Sequence, residues 1–496
     1  MSAQDHALPT KQAKSPAAMP LYVDLDGTLI RSDAAQEMLI ATLRKPDGIR
    51  ALLRAAMNRD VTQIKRVSAD HALLDAARLP YNAEVVDYLA EARAEGRRVV
   101  LATAADAKVA HAVADHLGVF DAVIATEPGA NQKGKVKLAA IKRDCGDAPF
   151  EYLGDSDADL PIWQAAAGRG FVNPTGKAYD ASKQAGDALT VLVQDKPDTR
   201  RGLIKAMRPH QWVKNVLVFI PVLFAHAYGD LKTVALACAA FVVFSALTSG
   251  TYLINDLFDI EADRQHPRKR NRPFAAGVVT PLTGVKVAVA LIGGALLAGF
   301  WGIGFGFGMG LLSYLVMTMT YTFVLKSLST IDVIVLGLLF TVRVVAGGLA
   351  TGILISPWLL TFSFFFFVSL AYLKRYIELF KMKDAEKLPS RNYWREELSV
   401  VQSFGITTAA LSLLTLSQYL MHPDVRLTYS GKDLLWLIIP LLMFWTYRIW
   451  MWASRGKVHD DPVLFAFKDK ISRISLGLML LLVILARYVS LEPILQ

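Results

Sequence analysis

Residues 252–273 read YLINDLFDIEADRQHPRKRNRP, an apolar run that ends in four acids and then five bases. Asp256, Asp259 and Asp263 are spaced i, i+3, i+7, so on a helix the three carboxylates share one face. Like charges this close repel unless a cation lies among them, and a set of oxygen donors suits Mg2+, which also recruits substrate phosphates. Asn255 adds a neutral oxygen or an amide donor, and Arg268, Lys269, Arg270 and Arg272 can engage phosphate oxygens the metal leaves uncovered. A helix end charged only because it leaves a bilayer explains one or two charges. Three aligned carboxylates at that depth mark function. The stretch reads as a site for Mg2+ and a diphosphate, open to lipid, whose chemistry expels pyrophosphate.

The sequence around this stretch is that of a membrane protein. From Trp212 onward nine stretches have spanning length, at about 212–228, 232–254, 283–302, 305–324, 331–352, 357–379, 400–421, 433–452 and 474–491. Basic residues follow the second, fourth, sixth and eighth of these, whereas the loops WGIGFGFG and TGILISP carry no Lys or Arg. Because positive loops stay on the cytoplasmic side, the even-numbered loops and the N-terminal domain are expected in the cytoplasm of a bacterial inner membrane. A net charge of +10 suits nucleic acid, anionic lipid or anionic substrates alike. Its clustering in loops between apolar runs favours a membrane and phosphate-bearing substrates and disfavours nucleic acid. Cys145 and Cys238 lie far apart, which excludes a disulfide framework or thiolate metal site.

Ahead of the apolar half the pattern is α/β. Residues 1–19 have no apolar core of the kind a cleaved signal peptide needs and read as disordered. Residues 20–192 alternate strand and helix patterns, with LYVDLDGTLI at 21–30 as a buried strand followed by a turn, so a Rossmann-like open sheet is expected. A helical insertion at about 33–80 reads as a small cap. Residues 193–207 form a linker or an interfacial segment, and 208–496 an all-α bundle of nine spans. Active sites in open α/β sheets lie at the carboxyl ends of strands. That is where Asp24, Asp26, Thr103, Asp155 and Asp159 fall.

NDLFDIEAD resembles the NDxxDxxxD signature of the UbiA superfamily of membrane prenyltransferases, whose nine-helix topology also matches the nine stretches. RPHQWVKN at 208–215, HPRKRNRPFAAG at 266–277 and YTFVLKSLSTIDV at 321–333 resemble the branch that transfers phosphoribose to a polyprenyl phosphate. The resemblance implies phosphoribosyl pyrophosphate as donor, a long-chain polyprenyl phosphate as acceptor, and Mg2+ at Asp256, Asp259 and Asp263. Where prenyl-transferring members carry a second acidic cluster, this chain offers Asp332 with Tyr321 and Lys326 before it. A single acid beside a base fits a sugar phosphate: Lys326 for a phosphate, Asp332 for a ribose hydroxyl or a metal-bound water. Lys214 and Asn215 can contact a phosphate at the entrance of the first span, although Lys214 can equally snorkel beside Trp212. Arg343, inside a span, calls for a phosphate or carboxylate partner. Lys374 and Arg375, with Glu378, can receive the donor's 5-phosphate or simply follow the charge rule.

In the α/β half, DLDGT, Thr103, a lysine from NQKGKVK and GDSDAD arrive in the order of the motifs of haloacid dehalogenase-like phosphatases, which this half resembles. That implies Asp24 as nucleophile, Asp26 as general acid and then base, and Thr103 with Lys137 holding phosphoryl oxygens. The GxxK spacing from Gly134 selects Lys137, with Lys133 as the substitute. Asp155, with Asp24 and the Asp26 carbonyl, would bind Mg2+, and Asp159 would support that shell. Acting in sequence, the halves would make a lipid-linked ribose 5-phosphate and then remove its phosphate. Two rival readings share these features: a prenyltransferase acting on an aromatic acceptor beside an unrelated or regulatory phosphatase, and a non-enzymatic lipid carrier or transporter.

Overall fold

The computed structural model of the chain describes residues 19–57, 61–127, 131–195, 198–382, 387–388, 391–423, 425, 429–458 and 461–489. Of residues 1–19, read as disordered, 1–18 lie outside the described residues, whereas Met19 is buried and its carbonyl accepts Arg97 Nε at 3.1 Å. Two units emerge, one of Met1–Met207 with Tyr252–Ala288, the other of Arg208–Thr251 with Val289–Gln496.

The first unit is built on six parallel strands: β1 (Leu21–Val23), β2 (Val99–Asp106), β3 (Ala122–Thr126), β4 (Glu151–Gly154), β5 (Gly168–Val172) and β6 (Leu189–Val193). Their order is β3-β2-β1-β4-β5-β6. Residues alternate between the faces of a pleated strand. Thus Leu21, Val23, Val99 and Leu101 join a core with Val85, Leu89, Val109 and Val113, while Tyr22, Val100 and Ala102 join another with Ile141, Tyr152, Trp163 and Phe171. Apolar cover on both faces is what a parallel sheet requires. Each fully buried Leu, Val or Phe contributes about 1.5–3 kcal/mol. Leu21 pairs with Val99 on one side and Glu151 on the other, so β1 is central and its carboxyl end lies between those of β2 and β4. That register brings Asp24, Thr103 and Asp155 together from segments far apart in sequence.

Between β1 and β2 lie the helices Ala34–Thr42, Pro46–Met57 and Val61–His71 and the 3-10 turn Ala76–Arg78, in the region read as the cap. Asp33 caps the first of these helices by accepting the Gln36 N–H at 2.9 Å, satisfying a donor that the helix itself leaves open.

Seven helices long and apolar enough to cross a membrane are present among the described residues: Leu231–Phe258, Pro281–Ile303, Ile331–Thr351, Pro357–Phe380, Arg395–Met421, Lys432–Ser454 and Lys470–Tyr488. Seven of the nine expected spans correspond to these helices, and two do not. The stretch 212–228 folds as a 3-10 helix, Pro209–Phe219, followed by the short α-helix Ile220–Phe224. Pro221 has no N–H to donate, so it sits in the first turn of a new helix rather than inside a long one. The stretch 305–324 is a 19-residue helix, Phe305–Phe323, that is not one of those seven. Within the second unit small residues allow helices to approach closely. A Cβ added at Gly347 would collide with the Val218 carbonyl, and one at Gly405 with the Trp450 ring.

Candidate active sites

At the sheet's carboxyl edge, Asp24 follows β1 and its carboxylate accepts the Leu25 N–H at 2.8 Å. Lys137, in the first turn of the helix Lys135–Cys145, places Nζ 2.9 Å from Asp24 Oδ2 and 3.3 Å from Asp159 Oδ1. The same Nζ lies 2.8 Å from the Tyr152 hydroxyl, which donates to Asp159 Oδ1 at 2.7 Å. Carboxylate oxygens of Asp24, Asp155 and Asp159 lie within 4.8 Å of one another. Asp26 stands outside that trio and accepts the Ala34 N–H at 2.7 Å. Thr103 is fully buried, its hydroxyl accepting the Ala105 N–H at 3.0 Å. Gly27, at φ +76°, supplies the turn after β1, and a Cβ there would overlap the Asp155 carboxylate, so only glycine satisfies both backbone and space.

Burial raises the pKa of Asp24, and the Lys137 ammonium partly offsets that. Asp26 is pushed well above the ordinary carboxylate range by burial first and by the Asp33 charge second. Burial alone would lower the Lys137 ammonium, but Asp24 and Asp159 outweigh it and raise it. The site thus holds a paired carboxylate beside a carboxyl that favours its proton. An oxygen-only trio, Asp24 after β1 with Asp155 and Asp159 after β4, is a donor set that fits Mg2+.

The acid-rich turn departs from one continuous helix. Leu231–Phe258 stops before Asp259, whose φ of −97° and ψ of 7° break the spiral, and Ile260–Gln265 begins anew. Asp256 and Asp263 are both buried, and one group serves them: Arg272 Nη1 is 3.2 Å from Asp256 Oδ1 and 2.7 Å from Asp263 Oδ2. Asn255 donates to Asp259 Oδ2 at 3.1 Å. The guanidinium expected to meet phosphate therefore bridges two carboxylates, because buried anions need a cation at close range. Arg268, Lys269 and Arg270 are exposed on the same turn.

In the second unit, Asp332 is fully buried and receives Arg375 Nη2 at 2.6 Å, the Tyr393 hydroxyl at 2.7 Å and Arg391 Nη1 at 3.3 Å. Arg391 also donates to the Tyr321 hydroxyl at 3.1 Å, and Arg375 also pairs with Glu378. Lys214 lies 2.7 Å from Asp461 Oδ2, and Lys374 3.8 Å from the same oxygen. Lys326 belongs to the 3-10 turn Leu325–Ser327. Arg343 has neutral partners where a phosphate or carboxylate was expected: Asn215 Oδ1 at 3.0 Å, the Tyr314 hydroxyl at 2.9 Å and the Leu339 carbonyl. The ring faces of Tyr314, Phe340 and Phe244 surround its guanidinium at 4.9, 5.3 and 5.6 Å. An apolar cavity of about 440 Å³ in this unit is lined by Leu217, Phe224, Val344, Phe366, Trp445 and Met479 among others.

Five residues join these groups without having been singled out in the sequence. Tyr152 is one. Arg391, Tyr393 and Asp461 are others, and Lys65 of the cap bonds the Ala104 carbonyl at 2.6 Å and Asn131 Oδ1 at 3.0 Å. Asp461 alone had a local signal, an acid directly before Pro462 at a helix start.

Residues 215–471 match the UbiA prenyltransferase family. The chain belongs to that family. Residues 21–164, ahead of the UbiA region, match the haloacid dehalogenase-like hydrolases. The chain is similar to the uncharacterized protein y4nM of Sinorhizobium fredii, 35% identical over 465 residues, which is 92% of this chain and 88% of that protein. A likeness of that extent runs through both regions. The UbiA region is similar to the decaprenyl-phosphate phosphoribosyltransferase of Mycobacterium tuberculosis, 40% identical over 290 residues, covering 57% of this chain and 92% of that protein. It is also similar to the nodulation protein NoeC of Azorhizobium caulinodans, 33% identical over 286 residues, 57% of this chain and 92% of that protein. A membrane transferase of the UbiA family is thus joined in one multi-pass chain to a hydrolase-like region.

Proposed function

We propose that the UbiA region transfers 5-phosphoribose from phosphoribosyl pyrophosphate to a polyprenyl phosphate, and that the hydrolase-like region then removes the 5-phosphate from the lipid product. The observation that carries this reading is the acid-rich turn, two buried carboxylates held on one guanidinium with exposed bases beside them, within a region 40% identical to a phosphoribosyltransferase over most of that protein's length.

In the transfer, an oxygen of the lipid phosphate attacks the anomeric carbon while the bond to pyrophosphate breaks on the opposite side, inverting that carbon. The attacking group is already an anion near neutral pH, so it needs positioning more than a general base. Asp256, Asp259 and Asp263 would hold Mg2+, which when bound would neutralise charge on the departing pyrophosphate. Lys269 and Arg270 meet the outer phosphate oxygens, and Arg272 keeps Asp256 and Asp263 together. In the second unit, Lys214 and Lys374 around Asp461 form a phosphate-binding candidate, and the apolar cavity suits a polyprenyl chain.

In the hydrolase-like region, Asp24 attacks phosphorus and the ester oxygen leaves with the proton of Asp26. Asp26 then takes a proton from the water that cleaves the aspartyl phosphate. The raised proton affinity of Asp26 suits the first of these steps. Lys137 and Thr103 hold the phosphoryl oxygens, and Asp24, Asp155 and Asp159 are the metal-binding set. Both reactions are assigned to the cytoplasmic face of a bacterial inner membrane, from the bases in the even-numbered loops.

The test is to incubate membranes with radiolabelled phosphoribosyl pyrophosphate, polyprenyl phosphate and Mg2+, and to compare lipid products of the parent and Asp24→Asn. The variant is expected to accumulate the 5-phosphorylated lipid that the parent clears. Identical products would end the sequential scheme, and absence of labelled lipid from both would end the donor assignment.

A further inference from the structure

The first cap helix of the hydrolase-like region, Ala34–Thr42, is fastened to the segment that carries the acid-rich turn. Glu37 takes both ends of the Arg264 guanidinium, at 2.8 and 2.7 Å, with the two side chains only 2% and 7% exposed. Arg264 Nε donates to the Ala275 carbonyl at 2.9 Å. Nearby, the Leu282 N–H donates to Gln36 Oε1 at 2.9 Å, and Arg44 donates to the Phe258 carbonyl at 2.7 Å. Gly277, at φ +70°, packs against the backbone and Cβ of Arg31 so closely that a Cβ would lie 2.9 Å from the latter.

A buried ion pair is weak support for stability, since apolar side chains of similar size often serve as well or better. A planar guanidinium gripped by both carboxylate oxygens and a third acceptor does fix direction. Here the direction matters. Arg264 directly follows Asp263, and Ala275 lies three residues beyond Arg272, so the Glu37–Arg264–Ala275 contact ties together the two arms of the turn. Between those arms Arg272 reaches back to Asp263 and Asp256.

We infer that Glu37, a residue of the hydrolase-like region, is a positioning residue for the transferase: by holding Arg264 against the Ala275 carbonyl it sets the spacing at which Asp256, Asp263 and Arg272 meet a metal-bound diphosphate. This rests on the transferase reading above. A displacement of about 1 Å at such a site costs up to roughly 10²-fold in rate. The Glu37 carboxylate is taken up by Arg264 and not by Asp24 or the phosphoryl-binding groups; the Asp33 cap and the Ala34 N–H that serves Asp26 lie in the same first turn of the helix, where the Glu37 N–H donates to the Asp33 carbonyl at 3.1 Å.

The test compares full-length Glu37→Gln and the apolar pair Glu37→Leu/Arg264→Met with the parent in detergent or membranes. Glu37→Gln should lower transferase kcat/KM for phosphoribosyl pyrophosphate by roughly tenfold, a displacement smaller than that limit. The Mg2+ needed for half-maximal rate should rise, while hydrolysis of p-nitrophenyl phosphate is unchanged. The apolar pair should regain the parent's melting temperature and still lack the transferase rate, which separates positioning from support of the fold. Mn2+ titration followed by electron paramagnetic resonance in an Asp24→Asn/Asp155→Asn background reads the turn without any donor, and Glu37→Gln should weaken it there too. Should the parent form no lipid from phosphoribosyl pyrophosphate, the donor assignment fails and this titration decides the role of Glu37 alone. Unaltered Mn2+ affinity and transfer in Glu37→Gln, or recovery of both by the apolar pair, would overturn the inference.

Discussion

Lys137→Met keeps the apolar stem of the side chain and removes its ammonium from between two buried carboxylates. With Nζ 2.9 Å from Asp24 and 3.3 Å from Asp159, the attractions at an effective dielectric of about 20 are about 6 and about 5 kcal/mol. Most of that is offset by the several kcal/mol each ion gives up on leaving water, and breaking a buried pair from one side costs about 3–5 kcal/mol net. For a region of this size, a loss of that order lowers the melting temperature by roughly 10 °C. The assay is heating of the full-length protein in detergent with a protease pulse that cleaves the hydrolase-like region once it opens, with and without Mg2+. The variant should melt earlier, and Mg2+ should recover part of the loss, because a cation at Asp24, Asp155 and Asp159 replaces the missing charge. Hydrolysis of p-nitrophenyl phosphate should fall about 10²–10³-fold, the cost of one pre-placed donor to a developing charge. If Lys137→Met melts with the parent in both conditions, the ammonium is not the counter-ion of these carboxylates and the argument fails.

Gly27→Ala forces a side chain into a left-handed turn at a cost of about 1–2 kcal/mol and displaces Asp155; p-nitrophenyl phosphate hydrolysis should collapse, and Mg2+ should protect the region from melting less than it protects the parent. Arg343→Lys cannot reach Asn215, Tyr314 and the Leu339 carbonyl together, so the detergent-solubilised protein should melt several degrees lower and Arg343→Met should not be worse than lysine, checked by tryptophan fluorescence on heating. Hydrogen bonds from Arg98, and then Tyr22, hold the Asp144 carboxyl below its ordinary value. Its contribution to stability is therefore fully present above about pH 4, the unfolded value, and is lost as pH falls through the depressed folded value. The stability gap between parent and Asp144→Asn should be constant near neutrality and close in strong acid, as measured by urea unfolding across pH.

In the hydrolase-like region the sequence carried much of the site, because a strand's carboxyl end follows from a short buried run. VVLA placed Thr103 and GDSDAD placed Asp155, and the lysine selected by spacing from Gly134 is the one whose Nζ lies beside Asp24. Tyr152 was not legible in this way. It lies within β4 as one more apolar-looking residue, and only the packing of the helix Lys135–Cys145 on the sheet turns its hydroxyl toward Lys137 and Asp159.

The membrane region shows the opposite balance. Periodicity and charge gave seven of the nine expected spans and the acidic turn, but several charges meet partners that the sequence did not suggest. Arg272 turns back to Asp256 and Asp263, Arg375 is taken by Asp332 and Glu378, and Arg343 rests among aromatic faces.

By itself, then, the order of residues settled most of the buried strands, seven of the nine runs expected to cross a bilayer, and which short motifs carry carboxylates, since all three depend on spacing of two to four residues. Tertiary structure decided which cation meets which anion, where the helix breaks at Asp259, and that Glu37 grips Arg264 across 227 positions of chain. A buried charge is satisfied by whatever the fold brings within about 3 Å, and that proximity is a property of packing rather than of local sequence.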